Sequence, residues 1–257
     1  MDDARPLILI PSYNTGPILV DTVVAAMSLG TPLWVIIDGS TDGSPGLIQD
    51  LECAACRIIQ LPQNSGKGAA ILLGLRQAIA AGFTHVLTVD ADGQHPTSMA
   101  PEFFKLSAAH PQAAIFGRPV FDAAAPALRV QGRKISNFFA DLETLGWGVD
   151  DSLFGMRLYP AQELLAVLES TRFARRFDYD PEVAVRLAWR GVPIINLPTP
   201  VRYPSKEEGG ISQFRYVRDN TLLTWMHFRL FCGFLARLPW LICRGANPLD
   251  HFSPPRS

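Results

Sequence analysis

LTVDADGQHPT, residues 87–97, breaks an apolar run with two aspartates one residue apart, Asp90 and Asp92, and follows them with Gly, Gln, His and Pro. Carboxylates at that spacing repel each other, so a positive group, solvent or turn hydrogen bonds must compensate them. The same alternation recurs upstream. Apolar runs at Leu7–Ile10, Leu33–Ile37, Arg57–Leu61, Val86–Val89 and Ala113–Phe116 predict buried strands, and the intervals 17–29, 44–52, 67–81 and 97–109 predict helices. Gly30 and Gly82 stand where helix C-caps belong, and Pro96 can open the fourth helix. Alternating strand and helix implies an α/β fold with a mostly parallel central sheet flanked by helices.

In such sheets ligands bind beyond the carboxyl ends of the strands. The polar clusters PSYN (11–14), DGSTDGS (38–44), NSGKG (64–68) and DADGQH (90–95) all fall there. Turns need Gly and Asn but not carboxylates repeatedly on one edge. A D-x-D pair alone is weak, since Asp178-Tyr-Asp180 is a second one, and an Asx turn ending a strand would account for Asp90 and Asp92. At the edge of the sheet the pair also suits Mg²⁺ or Mn²⁺, whose shell substrate phosphates complete. Gln94 and His95 can add a ligand or a phosphate contact.

The second half is less regular. Residues 131–145 and 180–190 predict helices, and LFGMRLY (153–159) and VPIINL (192–197) predict strands. No long-period repeat or low-complexity linker divides the chain, so residues 1–220 form one domain. Residues 221–257 form an apolar and basic tail. Thr221–Cys243 is long enough for a membrane span, but Arg229 and Arg237 make crossing costly and Pro239 would break or kink a helix. Between Arg202 and Arg244, seven Lys or Arg face three acidic residues, a local +4 in a chain of net charge −1. An aromatic, basic tail suits an anionic membrane surface; a terminal helix packed on the domain or an oligomer contact is the alternative.

The totals fit this organisation. A chain of 257 residues, 48% hydrophobic and 18% charged, with mean hydropathy +0.14, builds a sizeable core. The near-neutral charge gives no pull toward nucleic acid. The N-terminus lacks the basic and apolar regions of a signal peptide. Of four cysteines, Cys53 and Cys56 form a C-x-x-C that closes a helical run with no second pair at zinc spacing, which implies reduced cytosolic thiols.

The ordered set PSYN, DGSTDGS, NSGKGAA (64–70) and DADGQHP (90–96) resembles family-2 glycosyltransferases with the GT-A fold, and is most similar to their polyprenyl-phosphate, dolichyl-phosphate mannose synthase-like branch. FGR (116–118), RKIS (133–136), DSLFGMR (151–157) and GGISQFR (209–215) extend the resemblance over residues 7–218. It implies a metal-dependent, inverting hexosyl transfer from a UDP- or GDP-sugar to a lipid-linked acceptor, on the cytoplasmic face of the cell membrane. Asp90, Asp92 and Gln94 would then hold Mg²⁺ or Mn²⁺ and the diphosphate. Pro11, Tyr13 and Asp38 would surround base and ribose, Gly66 and Lys67 would lie near the nucleotide, and Arg118 and Arg133 would face phosphates. Asp151 and Arg157 would lie by sugar or acceptor, and Arg202, Ser212 and Arg215 would clamp an anionic acceptor or the leaving diphosphate. A hydroxyl acceptor would need a general base, for which Asp151, Asp180 and Glu182 are the candidates; an ionised phosphate acceptor needs none. The chain departs from the family at Thr15, where an acidic residue is usual, at Ile37-Asp38 in place of an Asp pair, at Phe154–Arg157 in place of S-G-F-R, and at Ser212-Gln213 in place of S-K.

The sequence is compatible with two other function classes. A binding module could keep the nucleotide pocket without transfer, as a subunit of a membrane complex. DADG also resembles the opening of the haloacid-dehalogenase phosphatase motif, in which the first Asp is a nucleophile, although that motif follows an early strand and ends in Thr or Ser. No G-x-G-x-x-G follows the first strand, and NSGKGAA lacks the earlier Gly and closing Ser/Thr of a Walker A loop.

Overall fold

The computed structural model of the chain describes residues 4–121, 127–202 and 216–254. Strands β1 (Pro6–Ser12), β2 (Leu33–Asp38), β3 (Cys56–Leu61), β4 (His85–Thr88), β5 (Ala114–Val120), β6 (Arg157–Pro160) and β7 (Ile194–Pro200) form one sheet in the order β3-β2-β1-β4-β6-β5-β7. All neighbours are parallel except β6, which runs antiparallel to both β4 and β5. Helices α1 (Ile18–Met27), α2 (Ser44–Ile48), α3 (Lys67–Ala80), α4 (Ala100–Ala109), α5 (Ala127–Thr144), α6 (Ala161–Glu169), α7 (Tyr179–Trp189) and α8 (Tyr216–Cys243) surround it.

Side chains alternate across a strand, so the apolar runs of β1 and β2 supply two cores at once. Leu7, Leu9, Trp34 and Ile36 pack with Ile71 and Leu75 of α3 and Val183 and Leu187 of α7. Ile8, Ile10, Leu33, Val35 and Ile37 face the other way, toward Leu19 and Val23 of α1 and Phe103 of α4. After β1 the chain goes to one side to form β2, and after β3 it returns to the other side to form β4. That reversal opens a crevice at the carboxyl ends of β1, β2 and β4.

The 153–159 strand is corrected to Arg157–Pro160: the residues before it turn, because Asp151 Oδ1 accepts the Leu153 and Phe154 N–H groups at 3.0 and 2.8 Å. The short helix α6 has no counterpart in the sequence expectations. Pro96 caps a 3₁₀ turn at Thr97–Met99 rather than opening α4 itself, whose first turn carries Pro101. All four cysteines are free, and burial, then the nearby Cys53 and Glu52, push the Cys56 thiol up to about 11, far from a reactive thiolate.

Helix α8 starts at Tyr216, ahead of residue 221, and runs through Pro239 unbroken. Its Met226, Leu230, Phe234 and Leu241 join the core against α5 and α7, while Trp225, Phe228, Leu235, Trp240 and Ile242 stay exposed. By length and composition Val217–Cys243 could cross a membrane, yet one face is committed to the domain.

Candidate active site

Four loops meet at the crevice. Asn14 leaves β1 in the left-handed region (φ 48°); its N–H donates to Ser40 Oγ at 3.0 Å and its Oδ1 accepts the Thr41 N–H at 2.7 Å. Asp42 accepts the Gly16 N–H at 2.8 Å and the Ser44 hydroxyl at 2.6 Å. Burial pushes its carboxyl up, but these hydrogen bonds outweigh that and hold it below the usual range. Where the family usually has an acidic residue, Thr15 is buried with its hydroxyl 2.7 Å from Ser12 Oγ.

Asp38 is 2% exposed and both oxygens are used: the Ser65 N–H donates to one at 2.8 Å and the Gly66 N–H to the other at 2.7 Å. The carboxylate therefore fixes the NSGKG turn. Gly66 (φ 101°) and Gly68 then press that turn against the backbone of Ala174–Arg176, with the Gly68 N–H donating to the Arg175 carbonyl at 3.0 Å. A Cβ at Gly68 would strike the Ala174 carbonyl and the Tyr179 ring. Gly68→Ala is expected to cost about 2 kcal/mol from overpacking, read as a lower unfolding midpoint. An unchanged midpoint would mean that the turn yields.

Lys67, held between those glycines, reaches two carboxylates at once, Asp90 Oδ1 at 2.7 Å and Asp180 Oδ2 at 2.6 Å. His95 Nε2 lies 3.2 Å from the other Asp90 oxygen and its ring meets Phe154 edge-on at 4.4 Å. Gly155 lies so close behind Asp90 that a side chain there would strike the carboxylate. Burial would raise Asp90, but Lys67 and His95 hold it well below the usual range. One ammonium neutralises one carboxylate, and burial leaves Asp180 raised even beside Lys67. Asp180 Oδ1 is buried with no hydrogen-bond partner among the described residues. Burial, then repulsion from Asp90, also raises Asp92, whose Oδ1 accepts the Gln94 N–H at 3.0 Å in an Asx turn.

The other sequence candidates divide. Arg157 is fully buried over the Phe116 ring, its Nη1 donating to the Asp180 carbonyl at 2.6 Å and its Nη2 to the Asp151 carbonyl at 2.9 Å, so it aligns the backbone of both residues. Asp151 is held by Arg133 at 2.5 Å and Asn137 at 3.2 Å. Arg118 lies near Asp150 and the Pro254 carbonyl, at 3.4 and 3.2 Å. Arg202 is exposed, and its N–H donates to the Gln94 carbonyl at 3.1 Å, bringing the end of β7 to the aspartate loop. Pro11 is buried in β1 and Tyr13 half-buried at its mouth. Glu182 is not brought to Lys67 but is buried between Arg186 and Arg229, at 2.8 and 2.9 Å, which gives it an ion-pairing place in the fold. Ser212 and Arg215 lie outside the described residues.

Sequence reasoning missed the turn before α7, where Asp178 accepts the Ala174 and Arg176 N–H groups at 3.0 and 2.9 Å and Arg176 reaches Asn64 at 2.9 Å. The available signal was the Asp178-Tyr-Asp180 pair. Among the described residues no three His, Cys, Asp or Glu side chains converge as a cation cage.

The arrangement is that of an α/β enzyme whose polar loops gather at a topological reversal around paired carboxylates. The sequence model described as "Glycosyl transferase family 2" matches residues 7–164, and the chain belongs to that family. It is 25% identical over 214 residues to a polyprenol monophosphomannose synthase of Mycolicibacterium smegmatis, covering 80% of this chain and 79% of that one. With an undecaprenyl-phosphate mannosyltransferase of Micrococcus luteus the identity is 24% over 212 residues, covering 76% and 82%. Among solved structures, S. aureus TarS 1–349 in complex with UDP-GlcNAc superposes with TM-score 0.58 at 15% identity, over 91% of this chain and 72% of that one, which shows a shared fold. The protein is a glycosyltransferase of GT-A architecture with relatives that transfer sugars to polyprenyl phosphates.

Proposed function

We propose that the enzyme is a Mg²⁺- or Mn²⁺-dependent inverting transferase that moves a hexose from a UDP- or GDP-sugar to a polyprenyl-phosphate-like acceptor at the cytoplasmic surface of the membrane. The observation that carries this reading is the Asp90–Asp92 pair at the end of β4, where Asp92, raised by burial and then by the Asp90 charge, has no ion pair among the described residues. A divalent cation relieves that repulsion, and two carboxylates suffice when substrate phosphates supply further oxygens, so a three-residue cage is not required. Asp90, Asp92 and Gln94 would hold the cation, which would stabilise charge developing on the leaving nucleoside diphosphate. Relatives named for polyprenol, undecaprenyl-phosphate and dolichyl-phosphate transfer support the acceptor class. Such an acceptor arrives ionised, so basic groups such as Arg202 need only bind it, and Asp180 need not act as a base.

Calorimetric titration of UDP- and GDP-sugars with Mn²⁺ into wild type and Asp92→Ala tests the donor site. Binding that requires both cation and Asp92 is expected, and the tighter nucleotide identifies the donor class. Binding without release of nucleoside diphosphate in the presence of lipid acceptor would instead identify a silent module.

The exposed side of α8 supports the membrane placement. Trp225 stacks on Phe228 at 5.5 Å, and exposed Arg218 and Arg237 flank the aromatics. Exposed Ile135 and Phe138 add an apolar strip from α5. Replacing Trp225, Phe228 and Ile242 together by serine is expected to weaken partitioning onto anionic vesicles about 10³-fold or more while leaving the fold intact, because each side chain contributes roughly 1.5–3 kcal/mol only if it leaves water. Unchanged co-sedimentation would remove the membrane from the proposal.

A further inference from the structure

The Lys67 ammonium is placed where a cation bound to Asp90 would have to compete with it. It lies 2.7 Å from Asp90 Oδ1, and His95 lies 3.2 Å from the other oxygen, so each oxygen of Asp90 already has a partner. Lys67 has a second partner, Asp180 Oδ2 at 2.6 Å, and the remaining oxygen of that carboxylate is buried and unpartnered. Asp180 thus has unused capacity to accept the ammonium from which Asp90 would be freed. The lysine cannot drift far, because the flanking glycines are pressed against the Ala174–Arg176 backbone.

We infer that Lys67 is an exchangeable counter-ion: it neutralises Asp90 before donor binding, then shifts wholly to Asp180 when a divalent cation takes Asp90 and Asp92. The inference rests on the donor-site reading above and adds to it a reason for an acidic residue at position 180 that is not general-base chemistry. It makes cation binding weak unless phosphate oxygens contribute, so the metal enters together with the nucleotide diphosphate. Asp180 is on this account a positioning residue, acting through Lys67 on Asp90.

The two partners of the exchange carry opposite expectations, which a simple packing role does not produce. Mn²⁺ alone is titrated into the full-length protein, with free Mn²⁺ followed by its paramagnetic resonance signal. Lys67→Met removes the competitor and is expected to tighten Mn²⁺ binding about tenfold or more. Asp180→Asn leaves Lys67 to Asp90 alone and is expected to weaken it, and the same order is expected in the rise of Tm with added Mn²⁺. Lys67→Met binding Mn²⁺ no tighter than wild type, or Asp180→Asn binding it as well or better, overturns the exchange. If Lys67→Met does not fold, the direction of the Asp180→Asn change alone decides. Failure of UDP or GDP with Mn²⁺ to bind wild type would overturn the donor-site reading itself, a result separate from either variant.

Discussion

Asp90→Asn is expected to lower kcat/KM by about 10³-fold or more, equivalent to ~4 kcal/mol of transition-state stabilisation. The substitution changes one atom, but that carboxylate is where Lys67, His95 and the proposed cation converge. The aspartate is braced from behind by Gly155, so an asparagine keeps the shape and loses the charge. The loss should fall mainly on kcat, because the proposed cation would act on charge that develops as the diphosphate leaves. Steady-state kinetics with saturating lipid acceptor check this. A variant retaining more than a tenth of wild-type activity would show that the reaction does not depend on a metal held by this loop.

The second large effect is on stability. Glu182→Ala is expected to destabilise the protein by about 3–5 kcal/mol, since it leaves Arg186 and Arg229 facing each other in a buried space with no anion between them. Chemical denaturation measures it. Under conditions where the variant is still folded, its KM for donor should stay within a few-fold of wild type. A stable variant that is inactive would return Glu182 to the catalytic candidates.

The sequence could have separated Glu182 from Asp180. Two positions along a helix differ by about 200° around its axis, so the two side chains face opposite sides of α7. Only one of them can meet Lys67. The first half of the sheet was legible for a related reason: β1 and β2 are apolar at every position facing either core, and their polar loops share one edge. By contrast, the irregular Leu153–Met156 segment has the composition of a strand, and only the bond from Asp151 to two successive N–H groups turns it away. Asp38 was assigned by resemblance to the nucleotide; the fold uses its carboxylate to tie down residues 65 and 66. The Lys67–Asp180 pairing joins residues 113 positions apart, and no local pattern announces it.

That separation governs when the centre can exist. A folding chain must close a long loop before Lys67 finds Asp180, and the entropic cost is recovered only once α7 has docked. A fragment ending after the Asp90–Asp92 loop would contain every aspartate of the signature and the lysine, yet it would lack Ala174–Arg176, the surface against which Gly66 and Gly68 are seated. The glycine–lysine–glycine triplet is thus the local imprint of a distant turn. Asp90, Asp92 and Lys67 lie within the first hundred residues, but their arrangement is completed only when the second half, with Asp180, has folded over them.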